Sequence, residues 1–138
     1  MKFYLYILLL TLALSCSKNS EDFIEHIEGY WEIKSVTLAN GTIKHYKVSQ
    51  TIDYITINDS LKGFRKKMTP RFDGKYNTSK SIENLQLELE NDSLNVYYTT
   101  EFAKWKETVI MASKDELKLI NQNNHVYLYR RYTPIVAE

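Results

Sequence analysis

The chain has 138 residues, room for one domain with a single core. Eighteen lysines and arginines against seventeen aspartates and glutamates leave a formal charge of +1, so no overall field draws the chain to nucleic acid. Four Gly and two Pro exclude a low-complexity chain, eleven Tyr favour strands, and a single Cys excludes an internal disulfide.

Residues 1–15 carry Lys2, then an apolar run from Phe3 to Leu14 broken only by Thr11, with small residues at its exit. That is the layout of a signal peptide, and the run is shorter than the ~20 apolar residues a spanning helix needs. Leu12-Ala13-Leu14-Ser15-Cys16 resembles a bacterial lipobox. The resemblance implies cleavage before Cys16, acylation of its thiol with a palmitate-type chain, and loss of Lys2, which leaves the two charge signs equal. Ser17–Asp22 is a polar tether. Its lysine followed by acidic residues resembles the export tag of surface-exposed lipoproteins in some Gram-negative bacteria. The expected organisation is a signal peptide over 1–15, a tether and capping turn over 16–27, and one domain over 28–134. The expected address is the cell envelope, lipid-anchored to the outer membrane with the surface-exposed face open.

Phe23, Ile24 and Ile27 are spaced for one helical turn. From Tyr30 the chain alternates as strand, turn, strand. Tyr30–Leu38 places Trp31, Ile33 and Ser35 on one face, and Asn40-Gly41 marks a hairpin. Thr42–Val48 and Ile52–Asn58 follow, the latter setting Ile55 and Ile57 against Tyr54 and Thr56. Asn58-Asp59-Ser60-Leu61 recurs as Asn91-Asp92-Ser93-Leu94, and both copies read as hairpin loops. Asp-Ser-Leu also resembles a bacterial O-glycosylation signal, which implies sugar acceptors at Ser60 and Ser93.

Leu61–Met68 and Arg71–Thr78 form the next pair, turning at Thr69-Pro70. Lys62, Arg65, Lys66, Lys67, Arg71 and Lys75 cluster here among Phe64, Phe72 and Tyr76, and read as the wet face of a twisted hairpin. Ser81–Glu90 alternates Leu85, Leu87 and Leu89 with polar residues. Leu94–Thr100 and Ala103–Met111 continue the pattern, with Trp105, Val109 and Met111 on one side. Leu117–Ile120 and Val126–Tyr132 close the chain. Ten strand-like runs with short loops and no crossover helices describe an antiparallel all-β sandwich or up-and-down barrel.

No constellation carries a reaction. His26, His45 and His125 lie in three segments without metal-ligand spacing, and no phosphate loop or nucleophile elbow is present. The expectation is a protein that is not an enzyme and takes neither metal nor cofactor.

Gly29-Tyr30-Trp31 near the start and Tyr127-Leu128-Tyr129-Arg130-Arg131 at the end resemble the small lipocalin-like lipoproteins of Gram-negative bacteria. The resemblance spans roughly residues 28–133 and is carried by its two ends. It selects the barrel, of eight to ten strands with a short N-terminal helical turn. It implies that Trp31 lies at the closed base and that an arginine of the last strand packs over it. That arginine is Arg131 if Tyr127 and Tyr129 face inward, the preferred phase, and Arg130 if Val126 and Leu128 do. The chain is shorter than a typical lipocalin and lacks a recognisable second motif in its middle strands. The function implied is a membrane-tethered protein binding a small hydrophobic or amphipathic ligand. Trp31, Tyr54, Tyr98 and Trp105 are the candidate lining, and nucleic acid is not an expected partner. The alternative is a filled-core lipoprotein acting through its loops, as an envelope component or an inhibitor of a secreted enzyme.

Overall fold

The computed structural model describes residues 19–134. Cys16, the expected lipidation site, and the tether's first residues lie outside that range, as does the expected signal peptide. A 3-10 turn (Ser20–Phe23) runs into a one-turn helix, α1 (Ile24–Ile27). Ten strands follow: β1 (Gly29–Thr37), β2 (Ile43–His45), β3 (Ile52–Ile57), β4 (Lys62–Pro70) and β5 (Tyr76–Thr78) in the first half. The second half holds β6 (Glu83–Glu90), β7 (Ser93–Thr99), β8 (Lys104–Ala112), β9 (Glu116–Asn121) and β10 (Val126–Arg131).

The sheet order is β10-β9-β8-β7-β6-β4-β3-β1, and β10 returns to pair with β1. Eight antiparallel strands therefore close a barrel, while β2 and β5 are short additions paired only with β1 and β4. Closure removes the unpaired sheet edges that would otherwise template aggregation. Trp31 pairs directly with Arg131 across the closing seam.

The interior is apolar toward the helical cap. Phe23 and Ile27 pack down on Trp31, Leu87, Leu94, Ala112 and Leu117, all buried. Two bulges set which residues point in. One falls between Ile33 and Ser35 on β1, the other between Val109 and Met111 on β8. A bulge shifts the two-residue alternation by one position. Hence Ala112, not Met111, is buried beside Val109.

The turns differ from expectation in two places. The β4–β5 turn is not at Thr69-Pro70: β4 runs through Pro70, which pairs with Tyr76, and the chain reverses over Arg71–Lys75. Asp73-Gly74 carries the turn, because Gly74 takes φ +77° and the Asp73 carboxylate accepts from the Lys75 amide at 3.1 Å. The two Asn-Asp-Ser-Leu copies also fold differently. Asn58–Leu61 is a hairpin loop that leaves Ser60 exposed, with Asn58 Oδ1 accepting from the Ser60 amide. Asn91-Asp92 alone makes the second turn, both residues at positive φ, and Ser93 is already the first residue of β7, paired with Glu90.

Candidate functional site

The base of the barrel is built on Trp31. Its ring is fully buried and its indole N–H donates to the Ile27 carbonyl at 2.8 Å. The Arg131 guanidinium carbon stands 3.7 Å from the ring centroid. Its nitrogens donate to the carbonyls of His26 (2.9 Å), Glu28 (2.7 Å) and Lys114 (2.9 Å). Tyr129 is buried and Arg131 shares its phase, so the tyrosine phase places Arg131, not Arg130, over the indole. Arg130 points outward to Glu32 Oε2 at 2.9 Å and to the Lys47 carbonyl at 3.0 Å. The Arg130 hydrogen bond holds the Glu32 carboxyl below its usual range. Gly29 belongs to this site for a steric reason: at φ +129°, a Cβ there would run into the Arg131 guanidinium.

Above the apolar base the interior becomes polar. Arg65 of β4 sits in the barrel with its side chain 12% exposed. Its Nε meets Glu83 Oε2 at 2.5 Å, and its Nη1 lies 3.1 Å from the Tyr98 hydroxyl and 3.6 Å from Glu107 Oε1. The Tyr98 hydroxyl donates to Glu107 Oε2 at 3.4 Å. The guanidinium also covers the Tyr98 ring, 4.2 Å from its centroid, and Trp105 stacks on the same ring at 5.2 Å. Burial pushes the Glu107 carboxyl above its usual range against the opposing pull of Arg65. Burial likewise raises the Tyr98 and Tyr129 phenols. Burial alone would lower Arg65, but the surrounding phenols and carboxylates keep it firmly charged.

Beside this cluster lies a cavity of about 210 Å³. It exists because β1 pairs with β3 only over Gly29–Trp31 and then leaves it to pair with β2. Trp31, Ile33, Val36, Tyr127 and Tyr129 wall the gap, and Tyr46, Ser49 and Thr51 cross it. Asp53, nearly buried, and Lys67 add an ion pair of 2.7 Å to its lining. The cavity is thus aromatic on one side and carries one fixed pair of charges on the other. A larger groove of about 270 Å³ lies outside the barrel on the β4–β5 hairpin, between Pro70, Phe72, Tyr76 and Tyr132.

Of the residues expected to line a ligand site, Trp31 does so. Tyr98 and Trp105 face the interior but are engaged with Arg65 and each other. Tyr54 is on the outer face: its neighbour Asp53 points in, and its own ring stacks on Tyr30 at 4.7 Å. Arg65 differs from the other cations of its hairpin, because it is not on the wet face but inside the barrel. Alternation from Gly63 through Arg65 to Lys67 was the available signal, as was Glu107 lying between Trp105 and Val109. Tyr46 and Asp53 are site residues that no motif marks, while Tyr127 and Tyr129 lie in the closing motif, whose phase points them inward and whose place in this lining it does not give. Among the described residues, no group of three or more His, Cys, Asp or Glu side chains is placed to hold a metal ion.

A profile of the lipocalin-like domain matches residues 27–119. A lipocalin-like protein from Bacteroides uniformis is similar in structure: TM-score 0.50 at 13% identity, over 78% of this chain and 99% of that one. A protein from Bacteroides eggerthii aligns with TM-score 0.47 at 11% identity, over 76% of this chain and 98% of the other. Among curated proteins none matches this chain.

Proposed function

The chain belongs to the lipocalin-like domain family, and from that premise we propose that it is an envelope lipoprotein that binds a small amphipathic ligand in the cavity between β1 and β3. The observation that carries this reading is the cavity's lining, aromatic walls facing the buried Asp53 carboxylate, which the more exposed Lys67 pairs at 2.7 Å. Few polar groups in an otherwise apolar pocket fix a ligand's orientation and supply selectivity. Its size bounds the ligand. At about 210 Å³ it lies below the roughly 300–1,000 Å³ of pockets for drug-sized molecules. At ~30 Å³ per water it holds about seven waters, so the ligand is small or inserts only its end.

The lipid anchor at Cys16 is the second half of the proposal. It rests on the signal-like leader and on the cysteine at its exit. Two or more acyl chains make membrane attachment stable. Native mass spectrometry of the protein isolated from its own host reads both halves together. A chain beginning at Cys16 with acyl mass and a bound small molecule supports the proposal. An unacylated chain cleaved elsewhere overturns the anchor, and a barrel without ligand overturns the binding.

A second reading is a filled-core protein acting through its loops. The feature that favours it is the Arg65–Glu83–Glu107–Tyr98 cluster, which fills the interior that larger barrels leave open.

A further inference from the structure

The outer wall of the barrel carries a run of aromatic side chains that ends at a groove. Phe64 of β4 meets Tyr54 of β3 edge-on, 6.2 Å between ring centroids. Tyr54 stacks on Tyr30 of β1 at 4.7 Å, and Tyr30 stacks on Tyr76 of β5 at 5.1 Å and 9°. Tyr132, just past β10, meets Tyr76 edge-on at 6.5 Å. Tyr30 brings these last two segments together: its ring holds Tyr76, and its carbonyl accepts from the Tyr132 amide at 2.9 Å. Stacked and edge-on pairs of this kind are favourable beyond the area they bury.

The groove outside the β4–β5 hairpin lies where this run stops. Pro70, Phe72, Tyr76, Tyr132 and Pro134 make its walls mostly apolar. The turn that forms one wall is held in shape. Arg71 N–H donates to the Lys75 carbonyl at 2.8 Å, Gly74 N–H to the Arg71 carbonyl at 3.2 Å, and Lys75 N–H to Asp73 Oδ1 at 3.1 Å. A wall fixed beforehand lowers the ordering cost of binding. Phe72 lines the groove and is yet 100% exposed, so a ligand there covers a ring that the fold leaves in water.

The polar groups select the ligand. Arg71 and Lys75 are the charged residues of the lining, and among the described residues no carboxylate or amide side chain joins them there. Arg71 is paired with Asp73 at 2.8 Å, whereas Lys75 forms no ion pair among the described residues. The Tyr76 hydroxyl is buried with no hydrogen-bond partner among the described residues. A buried donor without an acceptor is costly. A cationic ligand would meet two like charges here, and a sugar would find no carboxylate or amide to accept from its hydroxyls. The volume of about 270 Å³ equals about nine waters at ~30 Å³ each. That is room for a small ring system and not for a long acyl chain.

We propose that this groove is a second ligand site and that it takes a small aromatic acid. The planar ring lies among Phe72, Tyr76, Tyr132 and the two prolines, and the carboxylate is set against Lys75 and the Tyr76 hydroxyl. Aromatic walls suit the ring, and a carboxylate supplies both the missing acceptor and the missing countercharge. The inference is independent of the cavity between β1 and β3, which shares no lining residue with the groove.

The test is a titration with naphthoate followed by amide-resolved NMR. It uses the chain from Ser17 onward, which contains the cap and every strand. The amides of Gly74, Lys75 and Tyr132 should shift, and those of Ser49 and Thr51 in the other cavity should not. Affinity should fall as salt rises. Naphthylmethanol, which keeps the ring without the charge, and octanoate, which keeps the charge without the ring, should each bind about threefold or more weakly. Phe72→Ser, Lys75→Glu and Tyr76→Phe should weaken naphthoate to the same degree. The first two should melt with the wild type because both side chains are exposed, and Tyr76→Phe should melt no lower because it keeps the stacked ring. Shifts confined to Ser49 and Thr51, equal binding of naphthylmethanol or octanoate, or undiminished binding by any of the three variants would overturn the inference. So would naphthoate binding only to a chain ended at Pro134, which would assign the groove to residues 135–138 of the chain itself.

Discussion

Arg131 lies with its guanidinium 3.7 Å over the Trp31 ring and donates to three carbonyls from two separate segments, His26 and Glu28 on one side and Lys114 on the other. One side chain thereby joins the helical cap, the first strand, the β8–β9 turn and the last strand. Trp31→Ala should cost about 3–5 kcal/mol, from lost contacts and the cavity left at the base. Arg131→Lys should not restore the stability lost in Arg131→Ala. A point ammonium has no plane to lay on the indole and no fork to reach divergent carbonyls. Urea unfolding of the three variants measures this, and a lysine variant as stable as wild type would show that charge alone suffices.

Two glutamates should respond to pH in opposite senses. Glu107 is raised above its ordinary value near 4.5, chiefly by burial. A carboxyl raised in the folded state contributes stability fully present below the unfolded value and lost as pH rises through the folded one. Glu107→Gln should therefore gain on wild type as pH rises above the ordinary carboxyl value. Glu32 is lowered by its hydrogen bond from Arg130. Its contribution is present above the ordinary value and lost as pH falls through the lowered one, so Glu32→Gln should cost up to about 1 kcal/mol near neutrality and little in acid. Denaturant midpoints at several pH values check both signs.

Ser60 and Ser93 sit in unlike surroundings, one exposed in a loop and the other opening a strand. Ser60→Ala should change stability by less than about 0.5 kcal/mol, since the turn is held by Asn58 Oδ1 accepting from the Ser60 and Lys62 amides. Ser93→Ala should do the same, because its strand pairing uses the backbone. Intact-mass measurement of each variant from the native host reads the sugar question directly: loss of a glycan mass on either change assigns that serine as an acceptor.

The strand count and the cap were legible because period-two alternation and short turns persist along the whole chain, while the closing of β10 on β1 was implied by the lipocalin-like resemblance. The Trp31–Arg131 relation was legible through the resemblance carried by Gly29-Tyr30-Trp31 and the closing arginine pair, with the inward phase of Tyr127 and Tyr129 selecting Arg131. What escaped reading has a common physical cause. The charge of Arg65 points to solvent, yet Arg65 and Glu107 satisfy each other inside the barrel together with Glu83 and Tyr98. The aromatic ring of Tyr54 points to the interior by residue type, yet Asp53 beside it holds the inward position by pairing with Lys67. The bulge after Val109 reversed the phase that put Met111 inside. The cavity could not be read at all, since it depends on where β1 leaves β3, a matter of tertiary register and not of any one segment.

The most direct measurement is the small-molecule content of wild-type protein and Val36→Phe, isolated side by side from the native host and compared by native mass spectrometry. Val36 lines the cavity, so the added ring occupies space that the wild type leaves open, and the variant should lose no more than about 1–3 kcal/mol of stability. The account predicts a bound molecule on wild type and none on the variant. A wild type with no bound molecule, or a variant that retains it in equal amount, would contradict a ligand seated between β1 and β3.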